Sequence, residues 1–277
     1  MSANAGATFP LVPRRAFVGL QGGTRRSLRR GEGDEVVGAR PYRPGDPVSS
    51  IDWAASAKLS TARGTDEFVV QEHYAAEAPR VAIVVDDRPA MTLYAPPLPW
   101  LDKRAAVQAA VDLIDASARR ARVDVHREPS RGHDLGASLR SLGGRRARLP
   151  VGSFVFVLSD FVDEPEARHW VALRARRLDV TPVVVQDPTW EQSFPVVGGV
   201  AVPFVAADGG VVEEAWLSRR EAEELRAANV RRLATSLEQF RRLGFDPVVL
   251  GSSDPSAVLR AFHVWAGRRR TLRRRAA

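Results

Sequence analysis

The chain has 277 residues, 44% hydrophobic and 27% charged, long enough for one large α/β domain with a full core and extensions. It has no cysteine, which excludes disulfides, thiolate metal sites and thiol catalysis, and its best apolar runs, at 81–85 and 154–158, fall far short of the roughly 18 residues a membrane span needs. The net charge of +8 is located at the ends: Arg14, Arg15, Arg25, Arg26, Arg29 and Arg30 lie in an acid-free first segment, and Arg268, Arg269, Arg270, Arg273, Arg274 and Arg275 in an acid-free last one. Subtracting these 12 charges from +8 leaves about −4 for residues 31–267, so the sequence reads as a basic arm (1–30), one domain (31–267) and a basic tail (268–277). Acid-free runs of this kind are expected to be solvated. They can hold anionic lipid or nucleic-acid phosphates by counterion release, but no aromatic residue interleaves with the C-terminal run and no groove-reading motif is present.

After the arm, residues 34–80 read as irregular and extended structure, with the clearest strand at Glu67 to Tyr74. From Arg80 the period alternates. A strand at 80–85 leads into a helix at 101–121 with a partly apolar stripe of Ala105, Val107, Val111, Leu113 and Ile114. The run RVDVHRE is a short strand and HDLGASLRSL a short helix. The continuous apolar run Ser153 to Phe161 is expected of a central parallel strand buried on both faces. A helix follows with Pro165 in its first turn, then the strand DVTPVVVQD. Two alternating runs around Asp208, Gly209 and Gly210 predict a hairpin. Ser218 and Glu221 predict a capping box opening a long helix that Gly244 ends, and DPVVLGSSD and PSAVLRAFHVWA supply a last strand and a last helix. Strands alternating with helices predict a doubly wound, mostly parallel sheet covered on both faces.

One stretch is more specific than this periodicity. Arg40, Tyr42, Pro44, Gly45 and Asp46, followed after a short spacer by Ile51, Asp52 and Trp53, stand about thirty residues ahead of an apolar strand that ends in acid, RVAIVVDDRPAM. Together with SDF at 159–161, QDP at 186–188 and the closing FDPVVLGSSDP, these residues resemble the bacterial family called domain of unknown function 58 over roughly residues 20–265. The sequence departs from that pattern at Ser49 and Ser50, where the family usually carries a basic residue. The resemblance implies a von Willebrand factor A-like domain with the signature on an N-terminal excursion (31–79) ahead of the α/β core (80–267). Read from its residues, the signature is a turn: Pro44 and Gly45 suit a type II turn, Arg40 and Arg43 are placed to pair with Asp46 or Asp52, and Trp53 is expected as an apolar plug. It serves either as a structural clasp or as a partner-binding surface; catalysis by Asp46 and Asp52 lacks a nucleophile or base beside them.

The same resemblance draws attention to the strand end Asp86, Asp87, Arg88, Pro89, Ala90. Von Willebrand factor A domains build a metal-ion-dependent adhesion site there on Asp-x-Ser-x-Ser, with a Thr and an Asp from later loops. Asp86 matches the first ligand and Asp160 resembles the last, with Asp134 a weaker match to the Thr position. The seryl positions hold Arg88 and Ala90, which offer no oxygen to a hard divalent ion that wants about six. No metal or other cofactor is therefore expected. Arg88 either replaces the ion by pairing with Asp86 or Asp160, or points to solvent.

His73, His126, His133, His169 and His263 have no zinc spacing, and no phosphate-binding glycine loop or nucleophile elbow occurs. The expected function is a non-enzymatic, cytoplasmic protein-interaction or adaptor module. By resemblance, its partner is a MoxR-type AAA+ ATPase in a chaperone-like assembly system. Two readings stand against it: a metal-dependent hydrolase using the strand-end acids, and an anionic-surface binder acting through the Arg-rich tails.

Overall fold

A computed structural model describes residues 6–14, 36–43, 46, 48, 51–64, 68–73, 79–91, 101–128, 134–144, 149–205 and 212–276. In chain order the elements are β1 (Val36–Pro41), α1 (Trp53–Arg63), β2 (Val69–His73), β3 (Val81–Val85), α2 (Lys103–Arg120), β4 (Val125–Glu128), α3 (Leu135–Gly143), β5 (Phe154–Ser159), α4 (Ala167–Ala175), β6 (Asp179–Val185), β7 (Val200–Val205), β8 (Val212–Leu217), α5 (Arg219–Arg242), β9 (Val248–Leu250) and α6 (Pro255–Ala276). Where the sequence draws one domain over 31–267, the chain divides into two compact units, Met1–Leu20 with Pro79–Ala277, and Gln21–Ala78.

The larger unit is built on a parallel five-stranded sheet of order β4-β3-β5-β6-β9. β5 is buried along its whole length, as its unbroken apolar run demands. Its alternate residues feed two cores. Phe154, Phe156 and Leu158 join Ala110 and Ile114 of α2 and Phe262 and Trp265 of α6 on one face. Val155 and Val157 join Leu139 of α3, Trp170 and Leu173 of α4 and Phe240 of α5 on the other. Helices therefore cover both faces, and the two aromatic clusters, Phe156–Phe262–Trp265 and Phe161–Trp170–Phe240, sit back to back across the sheet.

Local signals act as their chemistry requires. Ser218 and Glu221 close a reciprocal capping box at the start of α5. Gly244, at φ +83°, follows the helix in the left-handed conformation that glycine adopts without strain. Pro165 lies just ahead of α4, whose N-cap is Glu166. β7 and β8 form an antiparallel hairpin in register from Val200 opposite Leu217 to Val205 opposite Val212; the Asp208 to Gly210 turn lies outside the described residues.

The two acid-free ends depart from the expectation of solvated tails. Phe9 and Val12 are buried, with the Phe9 ring stacked on Phe262 at 4.6 Å and edge-on to Trp265 at 5.7 Å. At the other end α6 runs through the predicted tail to Ala276, and Arg269 is fully buried. Its guanidinium pairs with Asp179 (2.9 Å) and Asp246 (3.0 Å), donates to Val12 O and Thr181 Oγ1, and lies 4.3 Å from the Trp265 ring. The physical reason is that the acids this arginine needs come from elsewhere in the sequence, so local charge composition gives no sign of them.

The smaller unit pairs β1 and β2 as antiparallel neighbours and adds α1, a helix in a stretch that sequence reading assigned to irregular structure. WAASAKLSTAR has no apolar stripe to announce a helix. It is set instead by its caps: Asp52 Oδ1 accepts the Ala55 N–H at 2.9 Å, and Gly64, at φ +65°, ends it.

Candidate functional site

Asp86 and Asp160 stand at the carboxyl ends of neighbouring parallel strands, one residue past β3 and one past β5, and the Asp86 N–H donates to Leu158 O at 2.9 Å. Both carboxylates are almost completely buried. A buried anion is tolerated only when paired and hydrogen-bonded, and each is held by a different cation.

Arg88 serves Asp86. Its Nη2 lies 2.6 Å from Asp86 Oδ2 and its Nε 3.0 Å from both carboxylate oxygens, while its backbone N–H donates to Oδ1. The same guanidinium reaches Asp160 Oδ1 at 3.6 Å and the exposed Asp163 at 3.0 Å. Of the two sequence alternatives for Arg88, this geometry is pairing, with only 12% of the side chain exposed. The hydrogen bond to Asp86, opposed by burial, raises the Arg88 pKa above its ordinary value.

Lys103 serves Asp160. Nζ donates to Asp160 Oδ2 (3.0 Å), Glu191 Oε1 (2.6 Å) and Ala90 O (3.3 Å). Burial works against this ammonium, but Asp160 and Glu191 outweigh it and the pKa is raised, so Lys103 is charged at neutral pH. Ala90 therefore contributes its carbonyl to a cation through a short 3₁₀ turn, Pro89–Met91. Lys103 and Glu191 escape sequence reading because each is one charge among many. Two signals could have found Lys103: it is one of only two lysines in an arginine-rich chain, and it occupies the first position of α2, where the helix dipole disfavours a cation.

The SDF and QDP motifs hold this edge together. Ser159 Oγ donates to Asp86 Oδ2 at 2.6 Å and accepts the Phe161 N–H at 3.0 Å, across a turn in which Phe161 takes φ +50°. Gln186 Nε2 donates to Asp160 O at 2.5 Å. Asp187 accepts the N–H groups of Leu101, Thr189 and Trp190, and its own N–H donates to Glu191 Oε2 at 2.7 Å. Glu191 is thus fixed between a backbone donor and the Lys103 ammonium.

The other positions drawn from the sequence lie elsewhere. Asp134 caps α3 through Ala137 and pairs with Arg140. In the smaller unit, Arg40 lies opposite Val70, Ile51 bridges the same residue, and the Asp52 N–H donates to Val69 O. Asp46 Oδ2 accepts the backbone N–H of Arg43 at 2.8 Å. Pro44 and Gly45 lie outside the described residues. Trp53 is not a plug: at the start of α1 it is 60% exposed, touching Phe68 edge-on at 5.8 Å, and Tyr42 approaches the same ring at 6.5 Å. Among the described residues, no group of three or more His, Asp or Glu side chains is arranged to hold a metal ion, and no helix is long and apolar enough to cross a membrane.

Of this edge, Lys103, Asp160, Gln186, Asp187 and Glu191 lie between residues 98 and 234. Residues 98–234 match the family described as protein of unknown function DUF58. The match spans just under half of the chain and supports that family, while Asp86, Arg88 and the Arg40 to Trp53 signature lie ahead of it. No curated protein matches the chain.

Proposed function

We propose that this protein is a non-enzymatic interaction module, a von Willebrand factor A-like domain with a degenerate metal-ion-dependent adhesion site, and that its partner is a MoxR-type AAA+ ATPase in a chaperone-like assembly system. The observation that carries the reading is the double neutralisation of the strand-end acids, Asp86 by Arg88 and Asp160 by Lys103. The residues present do not fit a hard divalent ion. Both seryl oxygens are replaced, and two organic cations already take up the carboxylate charge that such an ion would need. The same pairing speaks against a metal-dependent hydrolase, because no carboxylate of the pair is left to polarise or deprotonate a water. What remains is a rigid, pre-organised polar edge at the carboxyl ends of the strands, the usual binding crevice of an open α/β sheet.

The test is affinity capture from the native host with and without ATP. Recovery of an AAA+ ATPase whose yield changes with ATP supports the proposal; its absence in both arms removes the partner. A parallel melting experiment addresses the metal. About 1 mM Mg²⁺ or Mn²⁺ should leave Tm unchanged, whereas a site with Kd near 10 μM would add about 2.7 kcal/mol. Arg88→Ser with Ala90→Ser supplies the missing oxygens, and a metal-dependent rise in Tm restricted to that variant is the expected contrast.

A further inference from the structure

At the opposite, amino-terminal end of the sheet, Arg14, Arg174, Arg177 and Asp179 line a cavity of about 160 Å³ whose remaining wall includes Leu178, Val180 and Phe245. The charges around it do not cancel. Asp179 is taken by the Arg269 guanidinium (2.9 Å) and the Arg14 N–H (2.8 Å), and Asp246 by Arg269 (3.0 Å) and Arg14 (3.5 Å). Two carboxylates thus meet two guanidinium groups. Arg174 and Arg177, both exposed, have no acidic partner among the described residues and leave an excess of two positive charges at a concavity of mixed polar and apolar lining.

Arg14 and Arg174 also converge on Gly244, whose carbonyl accepts from Arg14 Nη1. A Cβ built on Gly244 would lie 3.8 Å from Arg14 Nη1 and 3.9 Å from Arg174 Cζ, so these two like-charged groups flank a residue without a side chain. The α4 dipole accounts for a cation in its last turn, and hence for Arg174. Arg177 follows that helix at φ +56° as the left-handed residue that ends it, its N–H donating to Arg174 O and the Leu178 N–H to Leu173 O, which places Arg177 on the cavity wall.

We propose that this cavity binds a phosphate-type dianion, either inorganic phosphate or the phosphate of a small phosphomonoester whose apolar body lies on Leu178, Val180 and Phe245. Guanidinium forks match phosphate oxygens in pairs, and two unmatched guanidinium groups match the charge of a dianion. The site is independent of the strand-end edge and of the reading given for it.

Calorimetric titration of the full chain at pH 7.5 and constant ionic strength tests this with inorganic phosphate, phenyl phosphate and sodium chloride. Arg174→Ala with Arg177→Ala should weaken phosphate binding at least about tenfold, about 1.4 kcal/mol, while Arg268→Ala with Arg270→Ala, which removes the same charge from the exposed side of α6, stays within about twofold. Arg177→Gly keeps the left-handed φ that ends α4 and removes one charge, so weakened binding in a variant whose Tm is not lowered separates ligand loss from misfolding. Tighter phenyl phosphate places an ester body on the apolar wall, and equal affinity identifies the free anion as the ligand. Absence of phosphate binding, or equal weakening in both double variants, overturns the proposal.

Discussion

Replacing Lys103 by Met would leave Asp160 and Glu191 buried without their shared cation. Removing one member of a buried ionic cluster typically costs about 3–5 kcal/mol, so Lys103→Met should lower the urea midpoint by a corresponding amount. A loss under about 1 kcal/mol would mean that the edge is wetter than its burial implies. A second residue gives a pH test. His169 is buried with Arg140 Nη1 3.3 Å from its Nε2 and no partner for Nδ1 among the described residues. Burial first, then the Arg140 and Arg168 charges, hold its pKa below the ordinary 6.5. The neutral ring is thus favoured in the fold, and the unfolded chain takes up the proton first as pH falls. His169 therefore contributes stability that is present above about 6.5 and lost as pH drops through and below that value. His169→Gln should flatten the Tm profile between about pH 7.5 and 5.5 relative to the parent chain.

At the scale of elements, α6 carries the sharpest expectation. Deleting residues 268–277 removes Arg269 and strands Asp179, so the truncated chain should lose about 3–5 kcal/mol or fail to fold. Arg268→Ala with Arg270→Ala, on exposed positions, should stay within about 0.5 kcal/mol and reduce only retention on heparin. Equal stability loss in both would refute the special role of Arg269. The same helix shows where sequence reading stops. Parallel strands are legible because burial on both faces forces an unbroken apolar run, as in β5, and a run ending in acid marks Asp86 and Asp160. Helix α1 is not legible by period, because caps rather than a stripe define it. Lys103, Glu191 and Arg269 are not legible because a charge is spent on a partner tens of residues away, and nothing adjacent in the sequence announces the pairing.

For the whole molecule, the described residues of the two large apolar cores all belong to the larger unit, Met1–Leu20 with Pro79–Ala277. Replacing residues 21–78 by a short flexible linker should therefore preserve one cooperative unfolding transition for the rest, with Tm lowered by no more than about 4 °C, roughly 1 kcal/mol in a domain of this size. Loss of cooperativity would show that the larger unit borrows stability from the smaller one. The tie between Asp179 and Arg269 reaches further, into the order in which the protein is made. Ninety positions separate the two residues, so at about 5–20 residues per second a growing chain carries that carboxylate for roughly 5–20 s before its guanidinium is synthesised. Phe9 waits longer still for Phe262 and Trp265. The amino edge of the sheet is thus closed last, after translation has passed α6. Ribosome-stalled chains ending before Pro255 should accordingly be cut by protease within strands that stalled chains extended past Ala277 protect, so the nascent protein depends on shelter until its last helix emerges.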